Sequence, residues 1–132
     1  VLGICLGLQI SLNRSEEGAT TTLGLIDGEV VRFRVTDPAL KIPHMGWNEV
    51  RVVKPHPLLR KVRPGDEFYF VHGYYPEPAR RLDVYAETTY ERAFASALGR
   101  GNYFATQFHP EKSGRVGLEL LACFASWDGR AC

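Results

Sequence analysis

The chain opens on Val1-Leu2-Gly3-Ile4-Cys5-Leu6-Gly7. Val1 to Ile4 is a short apolar run with the character of a buried strand, and the residues after Gly7 read as helix. Gly3-x-Cys5-x-Gly7 is the cysteine form of the small-x-nucleophile-x-small elbow that joins a strand to a helix. So sharp a turn crowds the positions two before and two after the nucleophile, so glycine is expected at both. The elbow thrusts a thiol out at the strand's carboxyl end, at the N-terminus of the next helix. The helix dipole and its free N–H groups favour a thiolate there, and the N–H of Leu6 would face a developing oxyanion. On these residues alone, a buried structural cysteine between two ordinary glycines fits equally well.

Composition excludes several classes. The chain has 132 residues, 45% of them hydrophobic and 23% charged, which suits one globular domain. Sixteen Lys and Arg against 15 Asp and Glu leave a net charge of +1, which gives no electrostatic case for nucleic acid or a membrane surface. No run approaches the roughly 18 apolar residues that span a bilayer. Three widely spaced cysteines, Cys5, Cys123 and Cys132, point to thiols in a reducing, cytoplasmic setting. The chain starts inside a strand that should be central in a parallel sheet, so the first sheet strands are expected to be missing from it.

The rest of the chain reads as follows. Leu6 to about Arg14 has helical spacing, and Ser15-Glu16-Glu17-Gly18 ends that helix in a solvated loop. Thr20 to Thr22 is polar loop, Gly28 to Arg34 is strand, and Asp37-Pro38 is a turn. Lys41 to Asn48 gathers Pro43, His44, Met45, Gly46 and Trp47 in a loop that enters a strand at Glu49 to Val53. Met and Trp there suit either a contact surface or a loop tucked under the sheet, and composition alone favours the tuck. Leu58 to Val62 is a helical turn, and Glu67 to His72 is a strand, followed by Gly73-Tyr74-Tyr75 and ended by Pro76 and Pro78. Leu82 to Thr89, Arg92 to Leu98 and Tyr103 to Phe108 are successive strands, with a turn at Gly99 to Asn102. Ser113 can cap a helix running to about Trp127, with Val116, Leu120, Phe124 and Trp127 on its apolar face and Asp128-Gly129 closing it.

His109-Pro110-Glu111 supplies what the elbow lacks. In extended chain the two outer side chains point the same way. A carboxylate beside a histidine fixes its tautomer, and a histidine so held can activate a cysteine and later protonate a leaving amine. On its own the triplet is as well read as a surface turn; with the elbow it completes nucleophile, base and orienter. His44, His72, His109, Cys5 and Cys123 have no zinc-like spacing, and no Gly-rich stretch matches a phosphate or dinucleotide cradle, so neither metal nor cofactor is expected.

Gly3-Ile4-Cys5-Leu6-Gly7-x-Gln9 and Phe108-His109-Pro110-Glu111 resemble the two motifs of the class I triad glutamine amidotransferases. Ser15 to Gly18, the Lys41 to Asn48 segment, and Gln107 to Gly114 with Lys112-Ser113 are similar to the glutaminase subunits of imidazole glycerol phosphate synthases. The likeness runs over nearly the whole chain. It implies an α/β, flavodoxin-like sheet with helices on both faces, appended antiparallel hairpins and the first strands missing, so that residues 1–132 form a single partial domain. It implies that Cys5, His109 and Glu111 are catalytic, and that glutamine is held by Gln9, the Leu6 N–H and the main chain around Gly73 and Tyr74. Gly73 stands where the family usually has Ser or Thr. It implies a heterodimer in which ammonia passes to a (β/α)8-barrel cyclase subunit of histidine biosynthesis, with His44, Met45, Trp47, Asn48 and Lys112 near the partner surface. The glycine-containing loop that gives the family its second oxyanion donor would precede Val1, so this chain by itself is expected to fold poorly and catalyse weakly. A non-catalytic partner-binding module and a partner-free γ-glutamyl hydrolase or other class I amidotransferase are the alternatives.

Overall fold

A computed structural model describes residues 1–130; Ala131-Cys132, expected to be an unremarkable tail, lies outside the described residues. Two elements matter first: β1 (Leu2–Ile4) and β11 (Tyr103–Thr106). They lie side by side and parallel, with Leu2 opposite Phe104, Gly3 opposite Ala105 and Ile4 opposite Thr106. The sheet continues antiparallel through β10 (Arg92–Arg100), β9 (Val84–Tyr90) and β6 (Arg51–Val52), in the order β1-β11-β10-β9-β6. The expected parallel core is therefore represented, among the described residues, by the β1–β11 pair here and by the parallel pairing of β2 (Arg14–Ser15) with β4 (Gly28–Arg32).

Two apolar clusters occupy the two faces. One gathers Phe68, Phe70, Phe104 and Phe108 with Leu120 of α2 (Gly114–Ala125). The other gathers Leu8 of α1 (Leu6–Gln9) with Leu12, Val30, Leu98 and Ala105. Alternation along β11 sends Phe104 to the first cluster and Ala105 to the second, as a strand covered on both sides requires. Each of the four phenylalanines is fully buried, a contribution of about 1.5–3 kcal/mol apiece.

A second sheet has the order β3-β2-β4-β8, with β3 spanning Thr20–Thr21 and β8 spanning Tyr74–Pro78. A two-stranded ribbon pairs β5 (His44–Glu49) with β7 (Glu67–His72). Several expectations are corrected here. Pro76 and Pro78 do not end a strand but sit within β8, which is tolerated because β8 is the edge of its sheet. Thr20–Thr21 is strand rather than loop, and β10 runs on to Arg100. The His44 to Asn48 stretch is strand, not loop, and its alternation buries His44 while Met45 and Trp47 face out.

The helix expected from Leu6 to Arg14 stops at Gln9. The 22–26 loop takes its carbonyls: Thr22 N–H donates to Asn13 O, Leu23 to Ile10 O, Gly24 to Leu12 O and Ile26 to Ser11 O. Past Gln9 the chain tightens into i to i+3 bonds, Ser11 N–H to Leu8 O and Leu12 N–H to Gln9 O, and with the carbonyls of residues 10–13 taken by the loop the helix does not continue toward Arg14. Helix α2 ends at Ala125, and Gly117 within it lies so close to the Pro110 carbonyl that a Cβ there would overlap it.

Candidate active site

Parallel strands in register end side by side, and this brings the two ends of the sequence together. The N–H of Cys5, one residue past β1, donates to Thr106 O at 2.7 Å. Beyond Thr106 the same strand delivers Gln107, Phe108 and His109. Sites at the carboxyl ends of parallel strands are the rule in open α/β sheets.

Cys5 has φ 53° and ψ −100°, a conformation costly for a non-glycine residue, of order 1–3 kcal/mol. The strain follows from the elbow. Tyr103 donates its hydroxyl to Gly7 O at 2.8 Å across the face of Gly3, and a Cβ at Gly3 would overlap that hydroxyl. The expectation of crowding at both glycines holds for Gly3 alone, because a Cβ on Gly7 would meet nothing within 4 Å.

The thiol is not activated by a helix dipole of any length, since α1 has four residues. Burial pushes the Cys5 thiol above its ordinary value; the Leu6 N–H and the Gln107 amide pull it down, Glu111 raises it and Lys112 opposes Glu111. A proton acceptor is therefore needed to produce thiolate.

His109 is held on three sides. Its N–H donates to Tyr69 O at 2.9 Å, its carbonyl accepts from the Ser113 hydroxyl at 2.6 Å, and its Nδ1 lies 2.9 Å from Glu111 Oε2. With Nδ1–H given to the carboxylate, Nε2 is left as the acceptor. The approach is not that of extended chain: Pro110–Lys112 is a 3-10 turn, and it is this turn that folds Glu111 back. Ser113 does not cap α2 with its side chain. Its buried hydroxyl instead accepts from Tyr69 N–H at 2.9 Å, tying β7 to His109.

Gln9 is buried and its Nε2 donates to Tyr74 O at 3.1 Å and to Gln107 Oε1 at 3.2 Å. Gln107 Nε2 in turn donates to Cys5 Sγ at 3.7 Å. The Gly73 carbonyl is occupied by Phe33 N–H, and Leu6 is exposed. Met45 and Trp47 are 62% and 54% exposed, and Lys112 is exposed beside the same ribbon. His44 is 3% exposed, stacked on Phe70 and Tyr90, and so is not on that surface. Asn48 is half-buried and turned inward to His44 and Thr89 O.

Sequence reasoning missed Gln107 beside Cys5 and the hydroxyl of Ser113 beside His109. The signal for Gln107 was its place between Thr106 and Phe108 at the end of an apolar strand, where a buried amide must find partners.

The profile of the class-I glutamine amidotransferases matches residues 1–125. The chain belongs to that family. Two curated relatives, each described as an imidazole glycerol phosphate synthase subunit HisH, illustrate the likeness. The one from Chromobacterium violaceum is 50% identical over 131 residues, covering 96% of this chain and 62% of its own length. The one from Methylococcus capsulatus is 53% identical over 134 residues with the same coverage. This class-I amidotransferase chain thus spans about three fifths of the length of the relatives it matches. A solved structure described as a glutamine amidotransferase superposes with a TM-score of 0.61 at 15% identity, covering 94% of this chain and 60% of that one, a likeness of fold.

Proposed function

We propose that this chain carries the nucleophile and base of a glutaminase. Cys5 attacks the side-chain amide carbon of glutamine, and the tetrahedral oxyanion is met by the Leu6 N–H. His109 takes the thiol proton and gives it to the departing ammonia. It then activates water against the γ-glutamyl thioester, releasing glutamate. Glu111 holds His109 in the tautomer this requires. The Gly73 and Tyr74 carbonyls are taken within the fold, so of the groups expected to hold glutamine it is the Oε1 of Gln9, whose two N–H groups go to Tyr74 O and Gln107 Oε1, that accepts from the substrate. The observation that supports the reading is the placement of a strained Cys5 one residue past β1 and of the His109–Glu111 pair just past β11, the strand that lies parallel beside it.

The ammonia passes to a (β/α)8-barrel cyclase subunit, in a cytoplasmic heterodimer that makes imidazole glycerol phosphate for histidine biosynthesis. The relatives' names support this, as does the exposed pairing of Met45 and Trp47 near Lys112. Large apolar side chains so exposed suit a partner surface. The test is Cys5→Ser in the full-length protein with its cyclase. Glutamine-driven synthesis should vanish while synthesis from free ammonia persists. Loss of both, or glutaminase that is full without the cyclase and indifferent to it, contradicts the coupled reading.

A further inference from the structure

Two buried histidines take no part in the chemistry above, yet they are wired to it. His44 Nδ1 lies 3.0 Å from His72 Nε2, and His72 Nδ1 lies 2.8 Å from Tyr74 O. At the other end, His44 Nε2 lies 3.2 Å from Asn48 Nδ2. Every donor direction in this row is fixed by groups that have no choice. Asn48 Nδ2 donates to Thr89 O at 2.8 Å, and its Oδ1 accepts from Glu49 N–H, so the amide orientation is set. His44 Nε2 must then accept, His44 Nδ1–H must donate to His72 Nε2, and His72 Nδ1–H must donate to the Tyr74 carbonyl.

The second acceptor position of that carbonyl is filled by Gln9 Nε2. Gln9 also donates to Gln107 Oε1, which leaves Gln107 Nε2 to donate to Cys5 Sγ. An unbroken row of hydrogen bonds thus runs from strand β5, beside the exposed Met45 and Trp47, to the nucleophile. The surroundings suit neutral imidazoles: Phe70 and Tyr90 stack on His44, and Phe33 and Phe94 close on His72 at centroid distances of 5.0 and 5.2 Å. Burial lowers His44 to about 4 and His72 to about 3.

We infer that His72 and His44 are positioning residues: locked as Nδ1–H tautomers, they set the Tyr74 carbonyl and, through it, the amides of Gln9 and Gln107 against glutamine and Cys5. This rests on the glutaminase reading and adds to it the residues that aim the substrate-holding groups.

The test uses the full-length protein. Nitrogen-15 spectra of its imidazoles should report both histidines as Nδ1–H tautomers, with Nε2 unprotonated. His72→Leu, normalised to titratable Cys5 thiol, should raise KM for glutamine by about 3- to 10-fold, the scale of one net hydrogen bond. His72→Asn keeps a donor near the Nδ1 position and should return KM most of the way to the parent value. A purely structural role would lower the active fraction in both variants and leave KM unmoved. An Nε2–H tautomer at His72, a KM in His72→Leu equal to the parent, or equal KM changes in both variants overturns the inference. Should the parent hydrolyse no glutamine, the proposed function falls and the positioning claim with it. Should the parent be active and only the His72 results fail, the positioning claim alone falls.

Discussion

Gln107 donates its side-chain N–H to the sulfur of Cys5 at 3.7 Å, although the two residues stand at opposite ends of the sequence. The contact exists because β1 and β11 run parallel and because the antiparallel ladder of β10 with β11 continues one rung past Ala97 and Thr106, where Gln107 N–H donates to Ser96 O at 2.8 Å. Gln107 is one of the groups that hold the thiol down against burial. Gln107→Leu should therefore raise the Cys5 pKa further. The rate of alkylation by iodoacetamide against pH checks this; a profile moved to lower pH would contradict it.

Gly3→Ala should destabilise the elbow by about 1–3 kcal/mol, the usual cost of overpacking, because its methyl would overlap the Tyr103 hydroxyl. Tyr103→Phe removes that oxygen, so the double variant should recover part of the loss. Denaturant midpoints of the two single variants and the double variant measure the coupling, and strict additivity would argue against the proposed crowding.

Glu111→Gln should lower glutaminase kcat by about 10²- to 10⁴-fold. Its carboxylate is solvent-facing and bonds His109 Nδ1, so the melting temperature should hardly move. An unchanged kcat would show that the turn alone orients His109.

Acid should weaken the fold in a definite window. Burial lowers His44 and His56 to about 4 and His72 to about 3, against an ordinary value near 6.5. Below about pH 6.5 the unfolded chain binds protons that the folded chain refuses. Stability is thus full above about pH 6.5 and falls as pH drops toward 4 and 3, by up to about 1.4 kcal/mol per pH unit for each histidine. Asp83, whose carboxyl stays lowered by Arg80 and Arg100 despite burial, adds loss only at the acid end. Urea midpoints for the full-length protein between about pH 7.5 and 4.5 check the slope; a flat profile contradicts it.

The elbow and the hairpins β9–β10 and β10–β11 were legible in the sequence because each is carried by local spacing. The partner of β7 was not, since it is the earlier strand β5, and the His109–Glu111 contact comes from a 3-10 turn where extended chain was expected. The early end of α1 was not, since it depends on a loop more than ten residues away that takes the helix carbonyls. The inward turn of His44 was not legible either. It follows from strand alternation in β5, which the cluster of Pro43, His44, Met45, Gly46 and Trp47 disguised as loop. Ser113 carried a helix-cap signature, but Tyr69 and His109 compete for its hydroxyl and win. In each case a tertiary partner displaced the local preference.

The most direct measurement of the central claim is covalent. The full-length protein is treated with a chloroketone analogue of glutamine, digested, and the modified peptide located by mass spectrometry. The expected result is one label on the peptide ending at Arg14, on Cys5, with glutamine protecting against it and His109→Ala slowing it. Labelling of Cys123, or an unlabelled Cys5 in a protein that still hydrolyses glutamine, would contradict the assignment of Cys5 as nucleophile.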